Sequence, residues 1–227
     1  MKIVFTGGGT GGHFYPLIAV AQEINEVIKA QHLVPTKFYY FSDSPFDTRS
    51  LFENEIEFRS ITAGKVRRYF SILNFSDTLK TFIGILTAIW KLFWVYPDVI
   101  FSKGGYAAFP TLMAARFLRI PVMIHESDAH PGRVSVWSGK FARRVALAFP
   151  EALAQFPKDR TAVVGNPIRR QLLESAHQGA YEFLNLEPNL PVLLVIGGSL
   201  GSSALNDTVV DIAPQLVEHY QVLHQTG

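Results

Sequence analysis

The 227-residue sequence predicts an α/β protein built around a parallel sheet, and three observations support this fold class. Apolar segments of strand length alternate with segments of helical periodicity along the chain, which is the pattern of a parallel sheet with helices on both faces. The segment from Val192 to Ile196 is apolar at every position, as expected of a strand buried on both faces. Hydrophobic residues make up 48% of the chain and charged residues 18%, a composition typical of a protein with a large core.

The individual elements follow from these patterns and from the turn residues that separate them. Predicted strands lie near residues 2–6, 37–42, 57–61, 98–102, 121–125, 144–148, 161–164, 191–196 and 220–224. Predicted helices lie near residues 15–30, 46–54, 75–95, 106–118, 132–140, 150–155, 169–176 and 202–219.

A boundary between two domains is predicted between Gly165 and Pro191, a stretch with turn residues at its start and a polar, proline-containing end. After it, a strand, the glycine-rich segment Gly197 to Ser202 and a helix repeat the order of elements at the N-terminus. We therefore predict a Rossmann-like domain at 1–165, a linker at 166–190 and the start of a second Rossmann-like domain at 191–227. This last segment is too short to close a nucleotide-binding domain, so we expect the chain to be truncated.

The overall composition excludes several classes of protein. The 21 basic and 19 acidic residues give a net charge of +2, which is too small to indicate a nucleic-acid partner. Cysteine is absent, so neither a disulfide framework nor a thiolate metal site is possible. The N-terminal segment from Met1 to Phe5 is a strand pattern that runs into glycines and lacks the features of a signal peptide.

The most informative segment is the loop Gly7-Gly8-Gly9-Thr10-Gly11-Gly12-His13, which follows the first strand. Ligands of open α/β sheets bind at the carboxyl ends of the strands, where this loop lies. Glycines allow tight turns and close approach of a ligand, and the free N–H groups of a helix start favour phosphate. Histidine adds a group that exchanges a proton near neutral pH. The loop therefore predicts chemistry on a phosphorylated substrate.

Two other interpretations of this loop stay open at this point. It fits a simple tight connection, and its spacing loosely fits the Gly-x-Gly-x-x-Gly fingerprint of dinucleotide-binding proteins. A P-loop is excluded because no Gly-Lys-Ser or Gly-Lys-Thr follows.

Five short motifs in order give the chain a specific resemblance. They are Gly8-Gly-Thr-Gly-Gly-His13, Lys103-Gly-Gly-Tyr106, His125-Glu126, Gly165-Asn-Pro-Ile-Arg169, and Gly197-Gly-Ser199 with Leu205-Asn206. Together they resemble the MurG family of undecaprenyl-diphospho-muramoylpentapeptide N-acetylglucosaminyltransferases, and the similarity covers the whole chain. The resemblance implies a GT-B fold, with an N-terminal domain for the lipid acceptor, a C-terminal domain for UDP-N-acetylglucosamine (UDP-GlcNAc), and a reaction in the cleft between them.

The reaction that the resemblance implies is an inverting transfer of GlcNAc to the C4 hydroxyl of the MurNAc unit of lipid I, which gives lipid II for peptidoglycan. The implied partners are UDP-GlcNAc, lipid I and an anionic membrane surface, at the cytoplasmic face of the inner membrane. No cofactor is expected. His125-Glu126 has the residue types of a metal site, but no third ligand has suitable spacing, so we also expect no dedicated metal site.

The resemblance also implies roles for individual residues. His13 is the expected base, since a histidine can work near its pKa. Donor-binding residues are expected at Thr10, Gly11, Gly12, Asp128, Arg169 and Ser199. Acceptor-binding and diphosphate-binding residues are expected at Gly8, Gly9, Gly104, Gly105, Tyr106, His125 and Glu126. Simpler roles stay open for three residues: His13 as a residue of the helix start, Tyr106 as an aromatic packed on the sheet, and Arg169 as a solvated linker residue.

The sequence departs from the family pattern at two positions. The usual Glu-Gln-Asn is here Glu126-Ser127-Asp128, and Leu200 stands where glutamine is common. Asp128 corresponds to an asparagine that contacts the donor. A carboxylate accepts hydrogen bonds from sugar hydroxyls but cannot donate, and it repels phosphate. Two alternative functions therefore stay open. The chain belongs to a transferase that uses another nucleotide sugar or lipid acceptor, or it is a non-catalytic acceptor-binding module that needs a separate donor half.

The segment from Phe75 to Trp94 is rich in large apolar residues and is flanked by basic ones, Arg67, Arg68, Lys80 and Lys91. Its longest charge-free run, 81–90, is shorter than the roughly 20 residues that span a bilayer, so we do not expect a transmembrane helix. A helix that is apolar nearly all round exceeds the needs of one core contact. We therefore expect one face in the core and a second face, with Phe75, Phe82, Trp90 and Trp94, in a membrane interface.

Overall fold

A computed structural model describes residues 1–64, 73–173, 177–198 and 201–227, except for the side chains of residues 73–75, 177 and 178. The predicted roles of Arg67, Arg68, Ser199 and Leu200, and of the Phe75 side chain, lie outside the described residues. The chain divides into two compact units, Met1–Gln171 and Leu172–Gly227, called unit 1 and unit 2 below.

Unit 1 contains a seven-stranded, entirely parallel sheet in the order β3-β2-β1-β4-β5-β6-β7. The strands are β1 Lys2–Thr6, β2 Lys37–Ser42, β3 Ile56–Ser60, β4 Val99–Ser102, β5 Val122–Glu126, β6 Arg144–Leu147 and β7 Thr161–Val163. The helices are α1 Gly11–Ala30, α2 Thr48–Glu53, α3 Leu73–Val95, α4 Phe109–Leu118 and α5 Arg133–Gly139. The predicted α/β class and parallel sheet are confirmed.

Two apolar clusters cover the two faces of this sheet, because side chains alternate along each strand. In β2, Tyr40 belongs to one cluster and Phe41 to the other. In β4, Phe101 and Ile100 divide in the same way. The cluster on the side of α1 combines aromatic and aliphatic residues, whereas the other lies under α3 and α4 and consists mainly of aliphatic residues.

The strand order reverses between β1 and β4, which are neighbours in the sheet but not in sequence. Strands β1, β2 and β3 extend to one side of this point and β4 to β7 to the other. The ends of the two central strands are level, since Thr6 pairs with Ser102. The loops that follow them therefore leave the sheet at the same place, which is where open α/β sheets bind ligands.

Several predicted helices differ in detail from the structure. Helix α1 begins at Gly11 rather than near Tyr15, because the N–H groups of His13 and Phe14 both donate to the carbonyl of Thr10. His13 therefore lies in the first helical turn. The predicted helix 106–118 begins as a 3₁₀ turn, Tyr106–Ala108, before α4.

The predicted helices near 150–155 and 169–176 were wrong as α-helices. The first is a 3₁₀ helix, Pro150–Gln155, since a short segment that begins with proline forms only one to two turns. In place of the second, the structure has a 3₁₀ turn, Arg170–Leu172, and a short helix α6, His177–Phe183. A further 3₁₀ turn, Lys158–Arg160, precedes β7.

Unit 2 contains α6, helix α7 at Ser203–Leu216, and a parallel pair of strands, β8 Val192–Ile196 and β9 Gln221–Gln225. The expectation that β8 is buried on both faces was wrong. Leu194 and Ile196 are exposed because the described residues cover only the alternate row of this strand.

Helix α3 has one buried face and one exposed face, and the binding of the exposed face to a membrane stays a prediction. Ala88 and Leu92 are fully buried, whereas Phe82, Trp90 and Trp94 are each more than half exposed. Within the described residues, the segment Ser76–Val95 is long and apolar enough to cross a membrane by length and composition, and 17% of its most apolar 18-residue window is buried. Length and composition therefore do not by themselves exclude a spanning helix, but Ala88 and Leu92 of this helix pack in the protein core.

Candidate active site

The candidate site lies at the carboxyl edge of the sheet in unit 1, where the strand order reverses. Three loops meet there: residues 7–10 after β1, residues 103–105 after β4, and residues 127–132 after β5. The predicted residues of unit 1 that carry polar groups are brought to this edge, as expected from a parallel sheet.

The first two loops approach so closely that only glycine fits. A Cβ atom on Gly105 would lie 3.1 Å from the carbonyl oxygen of Gly8 and 3.3 Å from Cδ2 of His13. Gly105 also has a φ of +78°, and Gly9 has a φ of +92°, both in the left-handed region that favours glycine. The two loops and the imidazole of His13 therefore form one continuous surface.

His13 is half-buried in the first turn of α1, and its Nδ1 lies 2.9 Å from Oγ1 of Thr10. Burial lowers the pKa of this imidazole, and the positive charge of Lys103 lowers it further, while Glu126 and Asp128 act in the opposite direction. Because the usual pKa is already below 7, the neutral imidazole prevails at neutral pH. His13 is thus able to accept a proton.

Lys103 directly follows β4 and brings an ammonium group into the site. The residue is only 2% exposed. Its Nζ lies 2.9 Å from Nδ1 of His125 and also contacts Oγ of Ser127. Burial lowers the pKa of this ammonium to about 8, against the opposing effect of Glu126 and Asp128. The sequence analysis named Lys103 only as part of a motif. A lysine directly between a buried strand and a pair of glycines is the signal that could have identified it.

His125 is fully engaged inside the protein. Its Nε2 lies 2.8 Å from the carbonyl oxygen of Gly165, and because a carbonyl only accepts, Nε2 carries the proton. Nδ1 is then free to accept from the ammonium of Lys103. Burial and the charge of Lys103 both lower the pKa of His125, which keeps the ring neutral.

Glu126 organises the third loop. One carboxylate oxygen accepts from the backbone N–H groups of Ser127 at 2.8 Å and Asp128 at 3.1 Å, and the other accepts from Gly132 at 3.2 Å. The carboxylate is 6% exposed, so it shapes the loop from inside. Asp128, in contrast, is exposed on this loop. Acceptor binding by His125 and Glu126 stays a prediction.

Tyr106 is held by a carboxylate that the sequence analysis missed. The Tyr106 hydroxyl donates to Asp43 over 2.7 Å, and burial together with Asp43 raises the pKa of this phenol. Asp43 directly follows β2 and therefore reaches the same edge of the sheet. A carboxylate at the end of a predicted strand was the available signal. The aromatic ring also packs against the first loop, since a Cβ on Gly9 would lie 2.9 Å from Tyr106 Cε1.

Arg169 is brought back to the start of α1. Its guanidinium carbon lies 3.8 Å from the centre of the Tyr15 ring, which is a cation–π contact. Its buried Nε has no hydrogen-bond partner among the residues that the structure describes. Arg170, by comparison, forms ion pairs with Glu23 and Glu26 on the outer side of α1. Arg169 therefore contacts the first turns of α1 and is not simply a solvated arginine of the linker.

Comparison with known proteins agrees with this geometry. Residues 3–147 match the glycosyltransferase family 28 N-terminal domain, and residues 192–227 match the glycosyltransferase family 28 C-terminal domain. The chain therefore belongs to glycosyltransferase family 28, with an α/β fold of the GT-B type. The predicted family and fold class are confirmed.

Individual relatives give a more specific comparison than the family as a whole. The chain is 37% identical to a Treponema denticola protein and 34% identical to one from Bacillus thuringiensis, over 99% and 100% of its length. Both are named UDP-N-acetylglucosamine–N-acetylmuramyl-(pentapeptide) pyrophosphoryl-undecaprenol N-acetylglucosamine transferase, the second with the number 3. The crystal structure of Acinetobacter baumannii MurG has a TM-score of 0.68, with 28% identity over 100% of the chain and 61% of that structure.

More distant structures share the fold alone. The Anabaena protein HepE, solved with UDP and glucose, has a TM-score of 0.62 at 16% identity. The chain spans 59% of the Treponema relative and 62% of the Bacillus relative.

Proposed function

We propose that this chain is part of an enzyme that transfers GlcNAc from UDP-GlcNAc to undecaprenyl-diphosphate-linked MurNAc-pentapeptide, in peptidoglycan synthesis. The names of the relatives support the donor and the acceptor. The observation that carries the proposal is a neutral, half-buried His13 between two glycine loops at the point where the strand order reverses.

In the proposed reaction, His13 removes the proton from the C4 hydroxyl of the acceptor. If Nδ1–H of His13 donates to Thr10, the lone pair of Nε2 is the base, next to Gly105. The acceptor oxygen then forms a bond to C1 of GlcNAc, while the bond between C1 and the UDP oxygen breaks. UDP leaves with the electron pair of that bond, and the configuration at C1 inverts.

The two substrates carry diphosphates, and the chain offers two groups of partners for them. Backbone N–H groups of Gly8, Gly9 and Gly105, beside Tyr106, would bind the acceptor diphosphate, whereas the N–H of Gly104 already donates to Oγ of Ser102 over 3.0 Å. Arg169, which lies over the ring of Tyr15 in α1, supplies a planar fork of donors for the donor diphosphate. The exposed carboxylate of Asp128 would accept hydrogen bonds from sugar hydroxyls.

Helix α3 supports peripheral binding to an anionic membrane at the cytoplasmic face, where a lipid-linked acceptor would be found. Trp90 and Trp94 are exposed and stack edge to face, with ring centres 5.6 Å apart. They line a groove of about 460 Å³ together with the basic residues Lys2, Arg59 and Lys91. Exposed aromatic rings with adjacent cationic groups are typical of surfaces that bind anionic lipid headgroups.

The first experiment is an assay of radiolabelled GlcNAc transfer from UDP-GlcNAc to a lipid I analogue. This chain is compared with a version that carries a complete C-terminal family 28 domain, and only that version is expected to be active. In it, His13→Gln should lower turnover by about 10² or more, because general-base catalysis is lost. The matched control His32→Asn changes an exposed histidine at the far end of α1 and should leave turnover unchanged.

Each other result has a definite meaning. Near-normal turnover in His13→Gln would remove this residue from the role of base. A folded, complete protein without GlcNAc transfer would reject the proposal. Transfer of another sugar would then favour a different donor, while acceptor binding without any transfer would favour a non-catalytic module.

Membrane binding is tested by sedimentation with vesicles that contain phosphatidylglycerol. The chain should sediment with these vesicles and much less with neutral ones, and Trp90→Ser or Phe82→Ser should weaken binding several-fold. Phe52→Ser is the control, since Phe52 on α2 is an aromatic that is even more exposed, at 86%, than Phe82 or Trp90. Equal loss in Phe52→Ser, or no loss in the α3 variants, would contradict a specific membrane face.

A further inference from the structure

The strongest feature that the proposed reaction does not use is the buried ammonium of Lys103. Among the described residues, no carboxylate oxygen lies within 4.0 Å of its Nζ. Its two hydrogen-bond partners, His125 and Ser127, are both uncharged side chains. A buried charge without a direct ion pair is costly. A lysine placed there therefore needs a reason beyond packing.

The position of Lys103 relates it to both sides of the site. It directly precedes Gly104 and Gly105, and the second of these glycines lies against the His13 ring. A Cβ atom on Gly7 would lie 3.1 Å from Cβ of Lys103 and 3.3 Å from the carbonyl oxygen of His13. The side chain thus starts directly beneath the first glycine loop and ends at His125.

The charges that act on His13 come from the ends of two strands. Lys103 follows β4, whereas Glu126 ends β5 and Asp128 lies in the loop after it, and these two carboxylates act on His13 in the opposite sense. The same two carboxylates also act on Lys103 and favour its charged form. On the side of β2, Asp43 is bonded to Tyr106. Thr10, on the same element as His13, is uncharged.

We propose that Lys103 is a positioning residue of the candidate site, whose buried ammonium holds His125 and offsets the charges of Glu126 and Asp128 beside His13. Without this cation, two carboxylates would stand unopposed next to the imidazole and would favour its protonated form, which cannot act as a base. The same cation makes a carboxylate at position 128 compatible with a phosphorylated ligand. The consequence for catalysis rests on the proposed function, but the electrostatic coupling does not.

The test is an NMR titration of the seven histidines in the 227-residue chain, with the resonance of His13 assigned from His13→Gln. Lys103→Met should raise the pKa of His13 by roughly 0.5 unit or more, since a nearby positive charge is lost. Lys103→Arg should leave it close to the wild-type value. Asp128→Asn should lower it, because one of the opposing carboxylates is removed.

The matched control is Lys37→Met, which removes an exposed lysine at the start of β2, on the opposite edge of the sheet. It should leave the pKa of His13 unchanged. A folded Lys103→Met variant with an unchanged pKa of His13 would overturn the proposal and leave Lys103 a merely structural role. If Lys103→Met does not fold, Asp128→Asn decides, because its exposed side chain can be replaced without loss of packing and no shift there would contradict the coupling.

This experiment separates the proposal from the proposed function, since the titration needs no substrate. The expected shifts together with a failed transfer assay would reject only the function. In an active complete enzyme, Lys103→Met should also move the acidic limb of the pH profile of kcat/KM to higher pH, by about the shift seen for His13.

Discussion

The two glycine-rich turns of this chain, after β1 and after β8, share a local pattern but differ in what their polar residues do. In the first turn, Thr10 stands at the N-cap of α1, yet its side chain makes no capping hydrogen bond and instead contacts His13. In the second, Ser202 caps α7 by accepting from the N–H of Leu205. The same strand–glycine–helix pattern thus leads to a side-chain contact with His13 in unit 1 and to a helix cap in unit 2.

The two turns also differ in the residues that surround them. Strand β1 lies between β2 and β4, so the first turn meets residues from both sides, such as the Tyr40 hydroxyl, which donates to the carbonyl of Gly7 over 2.7 Å. In the second turn, a Cβ atom on Gly198 would meet no described residue within 4 Å, although one on Gly197 would lie 2.9 Å from the backbone nitrogen of Ser202. A glycine motif therefore predicts a turn, but only its neighbours show whether the turn is a closely packed site.

The largest expected difference between the two turns is the loss of stability when one glycine of each turn, Gly9 or Gly198, is replaced by alanine. Gly9 and Gly198 have similar φ values, +92° and +80°, so Ala should cost about 1–2 kcal/mol at each through backbone strain. At Gly9 the new methyl group would also meet Tyr106, which adds roughly 1–3 kcal/mol of overpacking. Urea unfolding of unit 1 and of unit 2, followed separately, measures both variants. Equal losses would show that the first turn is not closely packed.

The stability of unit 1 should also depend on pH. Burial lowers the pKa of both His13 and His125 in the folded state, so the unfolded chain takes up protons first as the pH falls below about 6.5. Stability should therefore fall as the pH drops through and below this value. All three tryptophans lie in unit 1, so the urea midpoint from their fluorescence at pH 5 and pH 7 reports this effect.

A variant pair tests which histidines are responsible. His125→Gln should reduce the difference between the two midpoints, because one of the two titrating groups is gone. His32→Asn should leave it unchanged, since His32 is exposed. A pH dependence that is the same in all three proteins would contradict the assignment.

The smallest expected effects come from the two N-cap residues. Ser202→Ala should destabilise unit 2 by about 1 kcal/mol, since a capping hydrogen bond is lost. Thr10→Ala should cost α1 less, because Thr10 makes no such bond. Thr10→Ala should instead change the NMR titration of His13. If Thr10→Ala destabilises its helix as much as Ser202→Ala does, the contrast between the two turns is wrong.

Much of the fold was predictable because its signals are local. Apolar segments identified the nine strands of the described residues to within one residue at each end. The family that the short motifs predict was confirmed by comparison with known proteins. The errors occurred where local signals are weak. The segment Pro150–Gln155 is too short to reveal which type of helix it forms, and the apolar pattern of β8 says nothing about whether a neighbour covers it.

By itself, the sequence predicted the order of the strands and of most helices, the glycine loops and His13 as the candidate base, since each prediction depends on residues close together in the chain. Only the tertiary structure decided which groups meet. Lys103 contacts a histidine 22 residues away, and Tyr106 bonds to a carboxylate 63 residues away. Arg169, near the end of the sequence of unit 1, contacts Tyr15 near its beginning. The physical reason is that strand order places these groups at one edge, and no local pattern encodes which strands become neighbours.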